Sequence, residues 1–153
     1  MIIRLAKKSD IWIIYNWVNQ IDSIKNKLIT KTKISRPEHK GWYENSLKNK
    51  NRYIWIVEEK HIALGQIRFD IDEEQKLCFI DIYIDKKHRK NNFGQKALYK
   101  AIELVKLNSS LNYCVALVLK SNLNSLKFFY SLGFSIYKSE YSYYDLRLTL
   151  KKK

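Results

Sequence analysis

The order of predicted elements gives this chain an α+β fold, a mixed and mostly antiparallel central sheet flanked by helices in a three-layer arrangement. Three observations carry that expectation. Two apolar stretches, Tyr53–Glu58 and Ala63–Phe69, are joined by the short polar turn Glu59-Lys60-His61, as antiparallel neighbours are. A strand, a tight polar turn and a helix follow over Phe79–Leu98, and a strand and helix recur over Asn112–Leu132, the pattern of a parallel crossover. No repeat, low-complexity linker or composition break interrupts the 153 residues, so one domain spanning residues 1–153 is expected.

Taken in order, Ile2–Leu5 reads as a first strand and Ser9 as the N-cap of a helix whose apolar stripe is Ile11, Ile14, Tyr15 and Val18. Asn19–Arg36 is polar and aperiodic. Pro37 and Glu38 open a second helix, where proline is tolerated in the first turn, and Trp42, Tyr43 and Leu47 give it a face. Asn49-Lys50-Asn51 ends it. Asp70–Lys76 is an acidic turn before the strand Leu77–Ile84.

In that strand Ile80, Ile82 and Ile84 point one way and Phe79, Asp81 and Tyr83 the other. The helix beyond it gathers Gly94, Ala97, Leu98, Ala101, Ile102 and Val105 on one face, opposite Gln95, Lys96, Lys100, Glu103 and Lys106. Asn112–Leu119 is apolar enough to be buried on both faces. Ser121 or Asn122 caps the next helix and Gly133 ends it. Phe134–Tyr137 and Tyr144–Leu150 are closing strands.

With 46% hydrophobic and 14% aromatic residues, the chain can bury a proper core, which argues against global disorder. No apolar run reaches the roughly 18–20 residues a membrane span requires, and Met1–Leu5 lacks a secretory pattern. Cys78 and Cys114 fall inside strands and read as reduced core thiols, so a cytoplasmic location is expected. The net charge of +14 has two readings. Lys, Asn and Ile are plentiful throughout, as in proteins from AT-rich genomes, and this compositional reading is favoured. The other is an electrostatic footprint for nucleic acid or another polyanion.

The turn Arg89-Lys90-Asn91-Asn92-Phe93-Gly94 has no proline and leads into a helix N-terminus, whose free amides and dipole suit a phosphate or pyrophosphate. It resembles the pyrophosphate loop of the GNAT family of N-acetyltransferases, Gln/Arg-x-x-Gly-x-Gly/Ala, with Arg89 first and Gly94 last. Asn92 replaces the first Gly, a mild change because Asn tolerates left-handed backbone angles. A second match lies at the expected distance. Asn122, Ser125, Gly133 and Phe134 follow that family's Asn-x-x-Ala/Ser…Gly-Phe helix, whereas the position that often carries a Tyr is Phe129. Tyr130, one residue on, should face elsewhere. A third layout, Trp17-Val18-Asn19, then Ile34-Ser35-Arg36-Pro37-Glu38-His39 and Trp42-Tyr43, then Leu64-Gly65-Gln66-Ile67, is similar to the pseudaminic-acid-pathway amino-sugar acetyltransferases.

The resemblance implies the GNAT acyl-CoA acyltransferase fold and acetyl-CoA as acyl donor, with no metal. Ile82, Tyr83 and Ile84 would hold the pantetheine and thioester. Arg89, Lys90, Asn91, Asn92, Phe93, Gly94 and Gln95 would hold the pyrophosphate, with Asn122, Ser125 and Phe129 also against the cofactor. A neutral amine would attack the thioester directly, and the ammonium must first lose its proton. Asp81 is the first candidate base, with Glu38 and His39 as alternatives. Each also has a plain structural reading, as a solvated face, a helix-start charge and a packed ring. Trp17, Asn19, Trp42 and Tyr143 are candidate substrate contacts. The implied acceptor is a small amine, foremost a nucleotide-linked amino-sugar, and a homodimer is compatible with this reading. Alternatives are a protein N-terminus of the ribosomal-protein type, a basic nucleic-acid-binding module, and a coenzyme-binding protein without turnover.

Overall fold

The computed structural model describes residues 1–29, 31–89, 91–108 and 110–150, save the side chain of residue 108. Seven strands form one sheet: β1 (Ile2–Leu5), β2 (Arg52–Glu59), β3 (Ile62–Asp72), β4 (Leu77–Ile84), β5 (Tyr113–Leu119), β6 (Ser135–Ser139) and β7 (Tyr143–Thr149). Their order across the sheet is β1-β2-β3-β4-β5-β7-β6, antiparallel throughout except between β4 and β5. The helices are α1 (Ile11–Val18), α2 (Ile21–Lys25), α3 (Arg36–Lys48), α4 (Phe93–Asn108) and α5 (Leu123–Ser131). The expected α+β class and mixed sheet are therefore what the chain forms.

Strand alternation divides the core between the two faces. Trp55 and Val57 of β2 pack with Ile67, Phe69 and Cys78 beneath Leu98, Ala101 and Ile102 of α4 and Phe129 of α5. Ile54 and Ile56, pointing the other way from the same strand, pack with Ile14, Trp17 and Tyr43 of α1 and α3. Cys78 and Cys114 sit side by side in register, both buried and not joined by a disulfide. Their mutual hydrogen bond and burial raise the Cys78 thiol pKa well above its ordinary value. No helix among the described residues is long and apolar enough to cross a membrane.

Three local expectations are corrected. Ser9 is not the cap of α1: it lies within a 3-10 turn, Lys8–Asp10, and Asp10 stands before the helix. The Asp10 carboxylate is turned back onto the Lys7 N–H (2.7 Å) and the Arg4 guanidinium (2.8 and 2.9 Å), charge-assisted bonds that fix the chain's entry. The stretch 19–36 is not wholly irregular, since it holds the short helix α2, and α3 begins within it at Arg36 behind the Ser35 cap. Finally, β5 is not buried on both faces along its length. Leu117 is 37% exposed because β4 has left its side by that point.

Gly65 is required by close strand approach. A Cβ there would lie within the carbonyl oxygen of Tyr83 and 2.8 Å from the Ile84 Cα, and neither backbone atom can yield cheaply. Gly65→Ala is expected to cost about 3 kcal/mol, a fall in Tm of roughly 6–12 °C by calorimetry. The Asp10 carboxyl is held below its ordinary pKa, chiefly by its hydrogen bond from Arg4 and also by the Lys7 N–H, against the opposing effect of burial. That contribution to stability is fully present above the unfolded carboxyl value of about 3.9 and is lost as pH falls through the folded value. Urea titrations from pH 7 to pH 2 should show a steeper acid loss of stability in the native protein than in Asp10→Asn.

Candidate active site

Strands β4 and β5 are in register over only three pairs, Leu77–Tyr113, Cys78–Cys114 and Phe79–Val115. Beyond Phe79 the two diverge, so the backbone of residues 80–84 has β3 on one edge and no strand on the other. A cavity of about 1030 Å³ fills the opening. Its lining comes from both faces of the sheet, Gly94, Asn122 and Phe128 on the side of α4 and α5, Asp22, Lys27 and Trp42 on the side of α1–α3. The gap is thus a passage through the sheet, and strand-edge amides stand along it where a carbonyl could be polarised.

On the α4 side the turn before the helix takes left-handed angles at Asn91 (φ 70°) and Asn92 (φ 57°). Asparagine accommodates these with little strain, and Asn92 then accepts the Lys96 N–H (3.1 Å) as the helix starts. The N–H groups of Phe93, Gly94 and Gln95 therefore occupy the first turn, where helices leave amides unpaired. Gly94 and Gln95 line the cavity, while the Phe93 side chain packs on the core. Lys90, assigned to the same loop from sequence, lies outside the described residues. Asn122 caps α5, its side-chain oxygen accepting the Ser125 N–H (3.2 Å), and both residues line the cavity. Phe129 is buried edge-on against Phe128 and Phe134, whereas Tyr130 is 43% exposed.

On the opposite side Asp81 and Tyr83 project from β4. Asp81 is more than half exposed, 3.6 Å from the Arg68 guanidinium. Asp70 is gripped by Arg52 (2.5 Å) and Arg68 (3.1 Å). The two guanidiniums also lie over the Trp42 ring, 5.4 and 5.5 Å from its centre.

His39 touches the cavity wall but is fully packed between aromatic rings, with Nε2 donating to the Ile11 carbonyl (2.7 Å). Burial favours the neutral ring and lowers its pKa below the ordinary imidazole value, against the opposing effect of the bond to Ile11. Glu38 is exposed in the first turn of α3, away from the lining. Trp17 is a core residue. Asn19 clasps the backbone of Ile34 through both ends of its amide, 2.7 and 3.1 Å. Tyr143 pairs with Leu119 in the sheet, outside the lining.

Sequence reasoning missed Asp22, which accepts from the Tyr83 hydroxyl (3.1 Å) and pairs with Arg89. Burial opposes its ionisation, but Arg89 and Tyr83 together bring its pKa below the ordinary value. Asp22 is 61 and 67 residues from these partners, so no local pattern announces it. Lys27 and Arg68 were missed for the same reason. Among the described residues no cluster of three or more His, Cys, Asp or Glu could hold a metal ion.

The sequence profile of the acetyltransferase (GNAT) family matches residues 14–134. Solved structures agree in fold. An N-acetyltransferase from Staphylococcus aureus is 26% identical over 98% of this chain and 98% of that one, with a TM-score of 0.79. A spermidine N-acetyltransferase from Vibrio cholerae, solved with CoA and spermine, is 13% identical over 99% and 96% of the two chains, with a TM-score of 0.86. A Salmonella typhimurium protein solved with its cofactor acetyl-CoA is 20% identical over 100% and 95%, with a TM-score of 0.78. No curated protein matches the chain by sequence. The match over residues 14–134 shows that the chain belongs to the acetyltransferase (GNAT) family. It is an acetyl-CoA-dependent N-acetyltransferase.

Gly94 tests whether the coenzyme binds on the α4 side of the cavity. A Cβ there would stand 3.1 Å from Phe128 and point into the lining, so Gly94→Leu should fill the space beside the loop. Calorimetric titration is expected to show acetyl-CoA binding weakened at least roughly tenfold, about 1.4 kcal/mol, with the far-ultraviolet circular dichroism unchanged.

Proposed function

We propose that this enzyme acetylates the primary amine of a nucleotide-linked amino-sugar by direct attack of the amine on acetyl-CoA. The observation that carries this reading is the charge state of the acceptor side. Each carboxylate lining it has an arginine beside it: Asp22 has Arg89, Asp70 has Arg52 and Arg68, and Asp81 has Arg68. A polyamine would need carboxylates free to meet its several ammonium groups, whereas an acceptor with one amine and an anionic tail needs few. Trp42, flanked by two guanidiniums, offers a flat surface of the kind that packs against a sugar ring or a nucleobase.

Asp81 takes the proton from the acceptor's ammonium, directly or through water, since it projects from the open segment of β4 and is the most exposed carboxylate of the lining. The neutral amine then attacks the thioester carbon. Strand-edge N–H groups within residues 80–84 stabilise the charge that develops on the carbonyl oxygen. The C–S bond breaks as the C–N bond is completed, and the amine's second proton passes to solvent. Buried cysteines not joined by a disulfide fit a cytoplasmic setting for this chemistry.

Titration with acetyl-CoA followed by thiol release with a UDP-linked 4-amino-sugar, spermidine and a ribosomal-protein N-terminal peptide tests the assignment. Turnover is expected with the amino-sugar; turnover confined to spermidine or the peptide overturns it. Asp81→Asn should lower kcat at pH 7 by roughly 10²–10⁴-fold. That deficit should shrink as pH rises towards the pKa of the acceptor amine, with acetyl-CoA affinity retained. Superimposable pH–kcat profiles for the two proteins would remove Asp81 as the base.

A further inference from the structure

Among the described residues, Lys27 is a charged group lining the acceptor side that makes no ion pair. It follows α2, is half-buried, and lines the cavity with Asp22, Arg68 and Asp81. Its ammonium donates one hydrogen bond, to the carbonyl of Val18 at 2.9 Å. An ammonium has three donors, and among the described residues no carboxylate lies within ion-pair distance of this one. The arginines nearby are differently placed, since Arg52 and Arg68 are joined to Asp70 and Arg89 to Asp22. A cation held partly out of water without a counter-ion is costly, and an incoming anion offsets that cost.

We propose that Lys27 forms an anion subsite at the acceptor end of the cavity and receives a phosphoryl group of the acceptor. The inference rests on the reading that the amine acceptor occupies this side of the sheet, and it names the group that recognises the acceptor's far end. The electrostatic surroundings agree. Burial chiefly, and then repulsion from Arg68, disfavour the charged form of Lys27, while Asp81 lies close enough to favour it without pairing with it. A bound phosphoryl group would relieve both penalties. The backbone bond to Val18 meanwhile anchors the side chain, so that the head is presented at a fixed place.

The experiment has two arms. In the first, uridine diphosphate is titrated calorimetrically into protein already saturated with coenzyme A, so that the cofactor's own pyrophosphate site is filled. Saturable binding is expected for the native protein, retained in Lys27→Arg and weakened roughly ten- to hundredfold in Lys27→Gln. Undiminished binding to Lys27→Gln, or no binding to the native protein, would overturn the subsite. In the second arm, thiol release is compared between the nucleotide-linked amino-sugar and the same sugar without its nucleotide. Lys27→Gln should narrow the native preference for the phosphorylated acceptor by a similar factor, with coenzyme A affinity unchanged. An unchanged preference would overturn the role of Lys27 in acceptor choice. If neither sugar turns over while the first arm holds, the amino-sugar reading fails and the anion subsite stands.

Discussion

The structure depends on where β4 and β5 stop pairing. Each strand is secured on its other side, β4 along its whole length by β3 and β5 along its whole length by β7. The sheet can therefore open between them after Phe79 and Val115 without loosening either half. The cost is confined to the ladder bonds that residues 80–84 and 116–119 forgo, and those are the groups an acyl donor can take up in place of a strand. Close β3–β4 contact at Gly65 holds the open segment of β4 firmly, so the amides along the gap are fixed before any substrate arrives. A preorganised edge of this kind needs no rearrangement when charge develops on the carbonyl.

The opening also brings together two halves of the molecule that the core keeps apart. Helices α4 and α5 cover one face and α1 and α3 the other, and they share only the sheet between them. Asp22 is the exception, because from α2 it reaches both the Tyr83 hydroxyl on β4 and Arg89 in the loop before α4. Arg89 also donates to the Ile84 carbonyl (2.8 Å) and covers the Tyr83 ring. One carboxylate thus ties α2, on one face of the sheet, to the loop before α4, on the other.

Much of this was legible in the sequence, and what was not follows a physical pattern. The alternation of Ile80, Ile82 and Ile84 with Asp81 and Tyr83 correctly assigned the two faces of β4, because the strand period is fixed by backbone geometry. The asparagines before α4 and the glycine ending α5 (Gly133, φ 90°) carried their backbone angles in their identity. By contrast, Ser9 looked like a cap only because the stronger claim on Asp10, from Arg4 on another element, has no local signature. Helix α2 is too short to show a period, and its residue Asp22 acts across the fold. Aromatic residues were the other ambiguity. Trp17 and Trp42 look alike in sequence, yet one is packed against Ile54 and Ile56 and the other faces the cavity, a difference set by which side of its helix meets the sheet.

The place of Phe129 bears on how the thiol leaves. Its ring is locked among Phe128 and Phe134, and Tyr130 turns outward, so α5 brings no tyrosine hydroxyl to the cavity lining. The tyrosine that does line it, Tyr83, donates to Asp22, and its pKa is pushed up to about 12 by burial and by that carboxylate. A phenol so placed is a poorer acid than the departing thiol, whose kind has a pKa of about 8.5. Proton transfer from it would run uphill. A thiolate, however, is stable enough near neutral pH to leave unprotonated, which an alkoxide or an amide anion is not. The demand on this site therefore falls on the other end of the reaction, the removal of a proton from the attacking ammonium. In the proposed mechanism that demand is met by Asp81, which is more than half exposed on the open segment of β4 with the Arg68 guanidinium 3.6 Å away.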